Sequence, residues 1–178
     1  MSHDDLRALV RTIPDFPKQG IQFRDVTTLF RDAKGFAKTI DAFVERYSGV
    51  GIAHVVGVEA RGFILAGAIA RGIDAGFVPL RKHGKLPGDA VGEDYALEYG
   101  TDRIEMHVGA VAKDDPVLLV DDLIATGGTA AAGVRLLRGA GANVVEAAFV
   151  IDLPELGGTK QLEALGVPVF ALLGFAGH

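Results

Sequence analysis

The stretch "VLLVDDLIATGGTAAAG" (Val117–Gly133) decides the fold. Its continuous apolar beginning is typical of a strand that is buried on both faces of a sheet. Two adjacent carboxylates, Asp121 and Asp122, end the apolar run, and a short turn and a helix-forming segment follow them. A strand that leads through a glycine-containing turn into a helix is the repeating unit of an α/β fold.

The turn itself predicts a phosphate site. The helix that follows it offers unpaired N–H groups and a partial positive charge at its N-terminus. Glycines let the backbone come close to a ligand, and threonine hydroxyls add donors. The Walker A pattern and the G-x-G-x-x-G pattern are both absent. The predicted phosphate-binding residues are Ala125, Thr126, Gly127, Gly128 and Thr129.

The two carboxylates indicate which phosphate this turn binds. Ionised carboxylates only accept hydrogen bonds, so they repel a bare phosphate but bind a sugar diol, which supplies two donors. We therefore predict a ribose 5-phosphate, with its 2′- and 3′-hydroxyls facing Asp121 and Asp122 and its phosphate in the turn. A plain strand–turn–helix, with the aspartates as local caps, is the alternative.

The rest of the chain alternates strand and helix patterns, and a long polar segment interrupts them. This alternation predicts one α/β domain over residues 1–178, with a mostly parallel central sheet flanked by helices. Residues 83–100 are predicted to form a long loop, a feature that is often a lid. The predicted strands are His54–Val58, Gly76–Lys82, Arg103–Val108, Val117–Val120, Val144–Ile151 and Val167–Leu173. The predicted helices are Asp4–Thr12, Gly35–Tyr47, a segment beginning near Arg61, Thr129–Arg138 and Thr159–Leu165.

Composition excludes several classes of protein. The chain has 178 residues and no cysteine, so disulfides, thiolate nucleophiles and cysteine-ligated metals are excluded. Its net charge of -5 gives no reason to expect nucleic-acid binding. No apolar stretch reaches the roughly 18 residues that a membrane span needs, and the acidic, amphipathic N-terminus does not resemble a secretory signal. We expect a cytoplasmic protein that binds neither nucleic acid nor membrane.

Two further strand ends predict a second anion site. Ligands of open α/β sheets bind beyond the carboxyl ends of the strands, which here selects "VEARGF" (Val58–Phe63) and "RKHGK" (Arg81–Lys85). Arg61 can pair bidentately with phosphate oxygens, and the Arg81–Lys85 run is a local basic patch. These features predict a diphosphate site, against the alternative that they are ordinary surface charges.

The Val117–Gly133 segment resembles the substrate-binding signature of the type I phosphoribosyltransferases, which is a hydrophobic run, two acids and a Thr-Gly-Gly-Thr-like loop. The resemblance implies a 5-phosphoribosyl 1-diphosphate substrate, with Mg²⁺ bound through its diphosphate and water and no direct protein ligand. It implies a small hood, a flexible catalytic loop and a homodimer in which the Arg81 region reaches across the interface. The residues expected at the diphosphate are Ala60, Arg61, Arg81, Lys82 and Lys85.

Three other stretches resemble the branch of this family that acts on adenine. They are "FPKQGIQFRDVTTLF" (Phe16–Phe30), "RKHGKLPG" (Arg81–Gly88) and "LEYGTD" (Leu97–Asp102). The resemblance implies purine salvage, in which the phosphoribosyl group is transferred to adenine to give AMP and diphosphate. A transferase for 6-oxopurines is one alternative, and a regulator that keeps the fold but binds nucleic acid is another.

The same resemblance assigns the base site and the proton-handling group. It implies that Phe23 and Leu123 sandwich adenine, while backbone groups of Gln22 and Arg24 read its Watson–Crick edge. The hood would come from residues 12–30, approximately, and from the C-terminal segment. Glu98 would handle the proton of the purine imidazole ring, and closure of the mobile loop, about residues 83–100, would deliver it together with Tyr99.

Overall fold

The computed structural model describes residues 3–96 and 100–177. The helices are α1 (Asp4–Leu9), α2 (Thr27–Arg31), α3 (Ala33–Tyr47), α4 (Arg61–Gly72), α5 (Gly128–Gly139) and α6 (Gly158–Ala164). The strands are β1 (Arg11–Pro14), β2 (Gln22–Asp25), β3 (His54–Val58), β4 (Gly76–Lys82), β5 (Ala90–Ala96), β6 (Thr101–His107), β7 (Pro116–Ile124), β8 (Asn143–Asp152) and β9 (Val169–Gly174). A short 3₁₀ helix covers Pro154–Leu156. Within the described ranges, no helix is both long and apolar enough to cross a membrane.

Within residues 3–96 and 100–177, seven strands form the central sheet in the order β5-β6-β4-β3-β7-β8-β9. The strands from β4 to β9 in this order are parallel to one another, while β6 and β5 are antiparallel additions at one edge. The sheet is therefore mostly parallel, as the alternating sequence pattern predicted. The carboxyl ends of β3, β4 and β7 meet at one edge of it, where the predicted binding segments follow.

Helices cover both faces of the sheet because its central strands are apolar on both sides. Leu119 of β7 packs with α5, whereas Leu118 belongs to the core on the other face, together with α3 and α4. Gly62 lets α4 come close to β7, since a Cβ at this position would lie 2.8 Å from the carbonyl oxygen of Val120. This close approach brings the start of α4 beside the two acids of β7.

Strand β7 is longer than the sequence predicted. Its parallel pairing with β8 continues to Ile124, which lies opposite Asp152. Asp121 and Asp122 are therefore part of the strand and do not follow it. The prediction ended at Val120 because carboxylates are uncommon in strands, but the ladder with β8 satisfies the backbone beyond that point.

The prediction of a loop over residues 83–100 was wrong for Ala90–Ala96, which form β5. All seven residues of β5 pair with β6 in an antiparallel ladder. The sequence concealed this strand because Gly92, Glu93 and Asp94 disfavour strands, and an edge strand depends on its single neighbour for hydrogen bonds. Leu97, Glu98 and Tyr99 lie outside the described residues.

The N-terminal helix is shorter than predicted, and a hairpin replaces its end. Helix α1 ends at Leu9, and Thr12 lies in β1, where it pairs with Arg24 of β2. Strands β1 and β2 form a separate two-stranded antiparallel sheet within the segment predicted to be the hood. The hairpin supplies most of the residues around an apolar cavity described below.

Candidate active site

The predicted phosphate turn joins β7 to α5 and encloses a cavity of about 140 Å³. Gly127 has a left-handed backbone with φ +85°, which favours glycine, and a Cβ there would lie 2.9 Å from the Cα of Gly158. The residues that line the cavity are Asp121 and Leu123 to Ala130, so all five residues of the predicted phosphate turn surround it. The amides at the start of α5 are the donors that a phosphate requires.

The connection between β8 and α6 supports this turn from behind. The Gly158 N–H donates to the carbonyl oxygen of Ala125 at 3.0 Å, and that of Leu153 donates to Ile124 at 3.0 Å. A Cβ on Gly158 would lie 2.4 Å from the Ala125 oxygen, so only glycine fits. Sequence analysis missed this support, and the only signal for it was the Gly157–Gly158 pair.

The two acids of β7 have different surroundings. Asp122 is buried, and its carboxylate accepts a hydrogen bond from Nε of Arg61 at the start of α4. Among the described residues no cation forms an ion pair with Asp121, and burial, followed by the charge of Asp122, raises its pKa well above the usual range. The Asp121 carboxylate therefore favours a ligand that offers hydroxyl donors or a cation.

A second cavity, of about 190 Å³, lies where the ends of β3, β4 and β6 meet β7. Asp121 and Thr129 line both this cavity and the one at the phosphate turn, so the two adjoin. The polar residues around the second cavity are Glu59, Lys82, Tyr95, Asp102, Asp121 and Thr129. Sequence analysis predicted the diphosphate site at the ends of these strands.

Three basic residues predicted for the diphosphate are paired with carboxylates of this chain. Arg81 donates to both carboxylate oxygens of Glu59, at 3.0 and 3.1 Å, and this pairing holds the pKa of Glu59 below its usual value. Nζ of Lys82 lies 3.0 Å from Asp102. The third basic residue, Arg61, forms an ion pair with Asp122. A bound diphosphate must compete with these acids for the same cations.

The remaining two diphosphate candidates contribute through the backbone. Ala60 precedes α4, and the Glu59–Ala60 peptide bond is cis. The carbonyl oxygen of Lys85 accepts a hydrogen bond from Arg81 at 2.9 Å. The structure thus brings Ala60, Arg61, Arg81 and Lys82 to one edge of the sheet and links Lys85 to it through Arg81.

Tyr95 lines the second cavity, and sequence analysis did not predict it there. Its buried hydroxyl lies 3.1 Å from Asp102, and the ring lines the second cavity beside Thr129. Burial raises the pKa of this hydroxyl, so it stays protonated at neutral pH. Strand β5 thus connects the phosphate turn with the diphosphate side, and it ends at Ala96, just before the undescribed segment that holds Glu98 and Tyr99.

A third cavity, of about 310 Å³, is the candidate base site. The ring of Phe23 lies in it, edge-on to that of Phe16 with centroids 5.2 Å apart. Its lining residues are Ile13, Phe16, Phe23, Arg24, Asp25, Val26, Thr27 and Arg61. Leu123, predicted to be the other face of the base slot, lines the phosphate-turn cavity instead. Gln22 lies beside Phe23 in β2 but does not line the third cavity.

Comparison with known proteins identifies the family. The model of the phosphoribosyl transferase domain matches residues 26–167. The adenine phosphoribosyltransferase of Nitrobacter hamburgensis is 59% identical over 175 residues, which cover 98% of each chain. The chain belongs to the adenine phosphoribosyltransferase branch of the phosphoribosyltransferase family. The predicted enzyme class, a transferase of this type, is confirmed.

Solved structures of this branch have the same fold. The adenine phosphoribosyltransferase of Rhodothermus marinus is 49% identical and superposes with a TM-score of 0.90, with 97% of each chain covered. That of Saccharomyces cerevisiae is 41% identical with a TM-score of 0.89, and 96% of this chain and 97% of that chain are covered. The yeast enzyme was solved in complex with an imino-altritol bisphosphate and adenine. The prediction of a type I phosphoribosyltransferase fold is therefore confirmed.

Proposed function

We propose that the chain transfers the phosphoribosyl group of 5-phosphoribosyl 1-diphosphate to adenine and releases AMP and diphosphate. The observation that carries this proposal is the position of the two acids just before an amide-lined phosphate turn: Asp121 lines both the turn and the second cavity, and Asp122 pairs with Arg61, which lines the third. The adenine bound to the yeast relative supports the choice of base.

The phosphate turn and the two acids would hold the ribose. The backbone N–H groups from Thr126 to Thr129 receive the 5-phosphate, and the threonine hydroxyls add donors. Asp121 accepts hydrogen bonds from the sugar hydroxyls, which satisfy a carboxylate that forms no ion pair among the described residues. Asp122, which is bonded to Arg61 in the free protein, accepts from the neighbouring sugar hydroxyl when Arg61 turns to the diphosphate.

The second cavity would hold the diphosphate and magnesium. Its lining combines three carboxylates, Glu59, Asp102 and Asp121, with Lys82, which suits a magnesium–diphosphate complex. Lys82 would bind phosphate oxygens, and the magnesium would be held through the diphosphate and water, with no direct protein ligand. When bound, magnesium stabilises the negative charge that develops on the leaving diphosphate. Arg81 adds charge stabilisation when it exchanges Glu59 for a phosphate oxygen.

The third cavity would hold the base. Phe23 offers an aromatic face, and backbone groups of Gln22 and Arg24 read the Watson–Crick edge of adenine, while Leu123 covers the other face as the ribose site fills. A base nitrogen then displaces diphosphate at ribose C1 through a transition state with oxocarbenium character, as in glycoside chemistry. Glu98 takes up the proton of the purine imidazole ring, and Tyr99 closes over the site with it.

The proposals on oligomeric state, the hood and cellular location rest on the sequence resemblance and on exposed apolar side chains. A homodimer is supported by Ile64 and Phe77, large apolar side chains that are 51% and 41% exposed. The hairpin of β1 and β2, with the C-terminal segment, would be the hood over the base. A cytoplasmic location and the absence of nucleic-acid partners stay predictions of the sequence.

One assay tests the proposed function. The protein is mixed with magnesium, 5-phosphoribosyl 1-diphosphate and each purine base in turn, and nucleotide formation is followed. We expect AMP from adenine and much slower turnover with hypoxanthine, guanine and xanthine. Faster turnover with a 6-oxopurine would contradict the choice of base, and no nucleotide from any base would contradict the reaction.

A further inference from the structure

The C-terminal segment after β9 is attached to the body of the fold at two points. The Phe175 N–H donates to the carbonyl oxygen of Asp152 at 3.0 Å. Two residues later, the Gly177 N–H donates to Oε1 of Glu155 at 3.2 Å. These bonds hold the Phe175 side chain at a fixed position relative to the end of β8.

Two guanidinium groups lie over the ring of Phe175. Cζ of Arg7 in α1 is 4.8 Å from the ring centroid, and Cζ of Arg24 in β2 is 4.9 Å from it. Both arginines also donate to the backbone next to the ring, Arg7 to Gly174 and Arg24 to Ala176. A cation over an aromatic face is attracted by the ring quadrupole, so Phe175 fixes both guanidiniums.

Arg24 carries this constraint into the candidate base site. Its Nη1 donates to Oγ1 of Thr12 in β1 at 2.6 Å, and its Nη2 donates to Ala176 at 2.9 Å. The same residue lines the 310 Å³ cavity beside Phe23. The Arg24 side chain therefore ties both strands of the hairpin to the C-terminal segment, directly behind the backbone that would read the base.

From this arrangement we infer that Phe175 is a positioning residue for the purine base. It acts through Arg24: the ring holds the guanidinium, the guanidinium holds β2, and β2 presents Phe23 and the edge-reading backbone to adenine. The inference rests on the proposed function of this cavity. It predicts a selective effect on adenine, since Phe175 lines neither the phosphate-turn cavity nor the second cavity.

The chain offers a matched control for the same type of contact. The Arg46 guanidinium lies 4.3 Å from the ring centroid of Phe170, on the α3 side of β9. Arg46 is also bonded to Glu146, at 2.8 and 2.9 Å, and it lines none of the three site cavities. Loss of the Phe170 ring removes a comparable stacking interaction without touching the base site.

The test compares Phe175→Leu with Phe170→Leu in steady-state kinetics, varying adenine and 5-phosphoribosyl 1-diphosphate separately. For Phe175→Leu we expect the adenine KM to rise about 5- to 30-fold, the scale of one to two lost cation–π contacts, while kcat and the KM for the other substrate change by less than about twofold. Phe170→Leu should leave both KM values near wild type, and Phe175→Tyr, which keeps a ring, should restore the adenine KM.

Each result has a defined meaning. An unchanged adenine KM in Phe175→Leu, or an equal rise in both KM values, would overturn the inference while the proposed function stands. A wild-type protein that makes no AMP would contradict the proposed function itself. If Phe175→Leu does not fold, as judged by circular dichroism, Arg24→Met removes the guanidinium through which Phe175 acts and keeps the backbone of β2, and an unchanged adenine KM there would overturn the inference.

Discussion

At the scale of single residues, the Asp121 carboxylate lowers the free energy of unfolding of the free protein and contributes to substrate binding. Because burial and the adjacent Asp122 raise its pKa, the folded chain binds a proton here more tightly than the unfolded chain. The free energy of unfolding therefore falls as the pH rises from the ordinary aspartate value, near 3.9, through the raised one. A ligand that donates to this carboxylate offsets that cost.

Asp121→Asn should consequently stabilise the free protein and weaken substrate binding. We expect Tm at pH 7 to rise by about 3 °C, the effect of roughly 1 kcal/mol on a domain of this size. The KM for 5-phosphoribosyl 1-diphosphate should rise at least about tenfold, as expected when a carboxylate acceptor for the sugar hydroxyls is lost. The difference in Tm between Asp121→Asn and the wild type should become smaller as the pH is lowered. Scanning calorimetry over a series of pH values measures this difference.

Glu146→Gln is the control for this substitution. Burial opposes ionisation of Glu146, but its bonds with Arg46 and Tyr47 prevail and lower its pKa. Removal of this charge should lower Tm at pH 7 and leave the KM values unchanged. A lower Tm for Asp121→Asn as well would contradict the account of Asp121.

Glu98 is predicted to handle the proton of the purine ring. Glu98→Ala should lower kcat by roughly 10²–10⁴, the usual scale for a general acid–base group. Glu93→Ala, on β5 of the same hairpin, removes only an ion pair with Arg135 and should change kcat by less than about twofold. Turnover near wild type in Glu98→Ala would remove this residue from the mechanism.

At the scale of elements, the phosphate turn depends on a segment that is distant in sequence. A methyl group on Gly158 would collide with the carbonyl oxygen of Ala125 and displace the turn. We expect Gly158→Ala to raise the KM for 5-phosphoribosyl 1-diphosphate at least about tenfold, the order of effect that follows when a positioned binding group is moved. Calorimetric titration with AMP should show a matching loss of affinity.

Gly139→Ala is the matched control for Gly158→Ala, because Gly139 lies on α5, the helix that follows the phosphate turn. Gly139 lies at the end of α5, and among the described residues no heavy atom beyond its chain neighbours and its own helix backbone lies within 4 Å of its Cβ position. This substitution should leave both KM values unchanged. If Gly158→Ala behaved in the same way, the turn would not require support from the connection between β8 and α6.

The sequence predicted the elements whose signal is local. The apolar run of β3 and the glycine-containing turn after β7 can be read from neighbouring residues, and both were predicted. Strand β5 was missed because its pairing with β6, and not its own composition, makes it a strand. The contact of Gly158 with the turn and the position of Tyr95 also depend on long-range packing, which spacing along one chain does not encode.

At the scale of the whole molecule, one apolar face predicts self-association. Strand β4 pairs with β6 only at Arg81 and Lys82, so its outer edge is open around Phe77. We expect sedimentation to give twice the chain mass of 18.7 kDa, and Phe77→Glu to shift the protein toward monomer, since a buried unpaired charge is costly. Val108→Glu alters a side chain that is 60% exposed directly after β6 and should leave the mass unchanged. A monomeric wild type would contradict this prediction.

The most direct measurement of the central claim is a crystal structure with AMP. The account predicts the ribose hydroxyls within hydrogen-bond distance of Asp121 or Asp122, the phosphate among the amides of Ala125–Thr129, and the base beside Phe23. A nucleotide whose sugar lies away from both aspartates, or whose phosphate lies outside that turn, would contradict it.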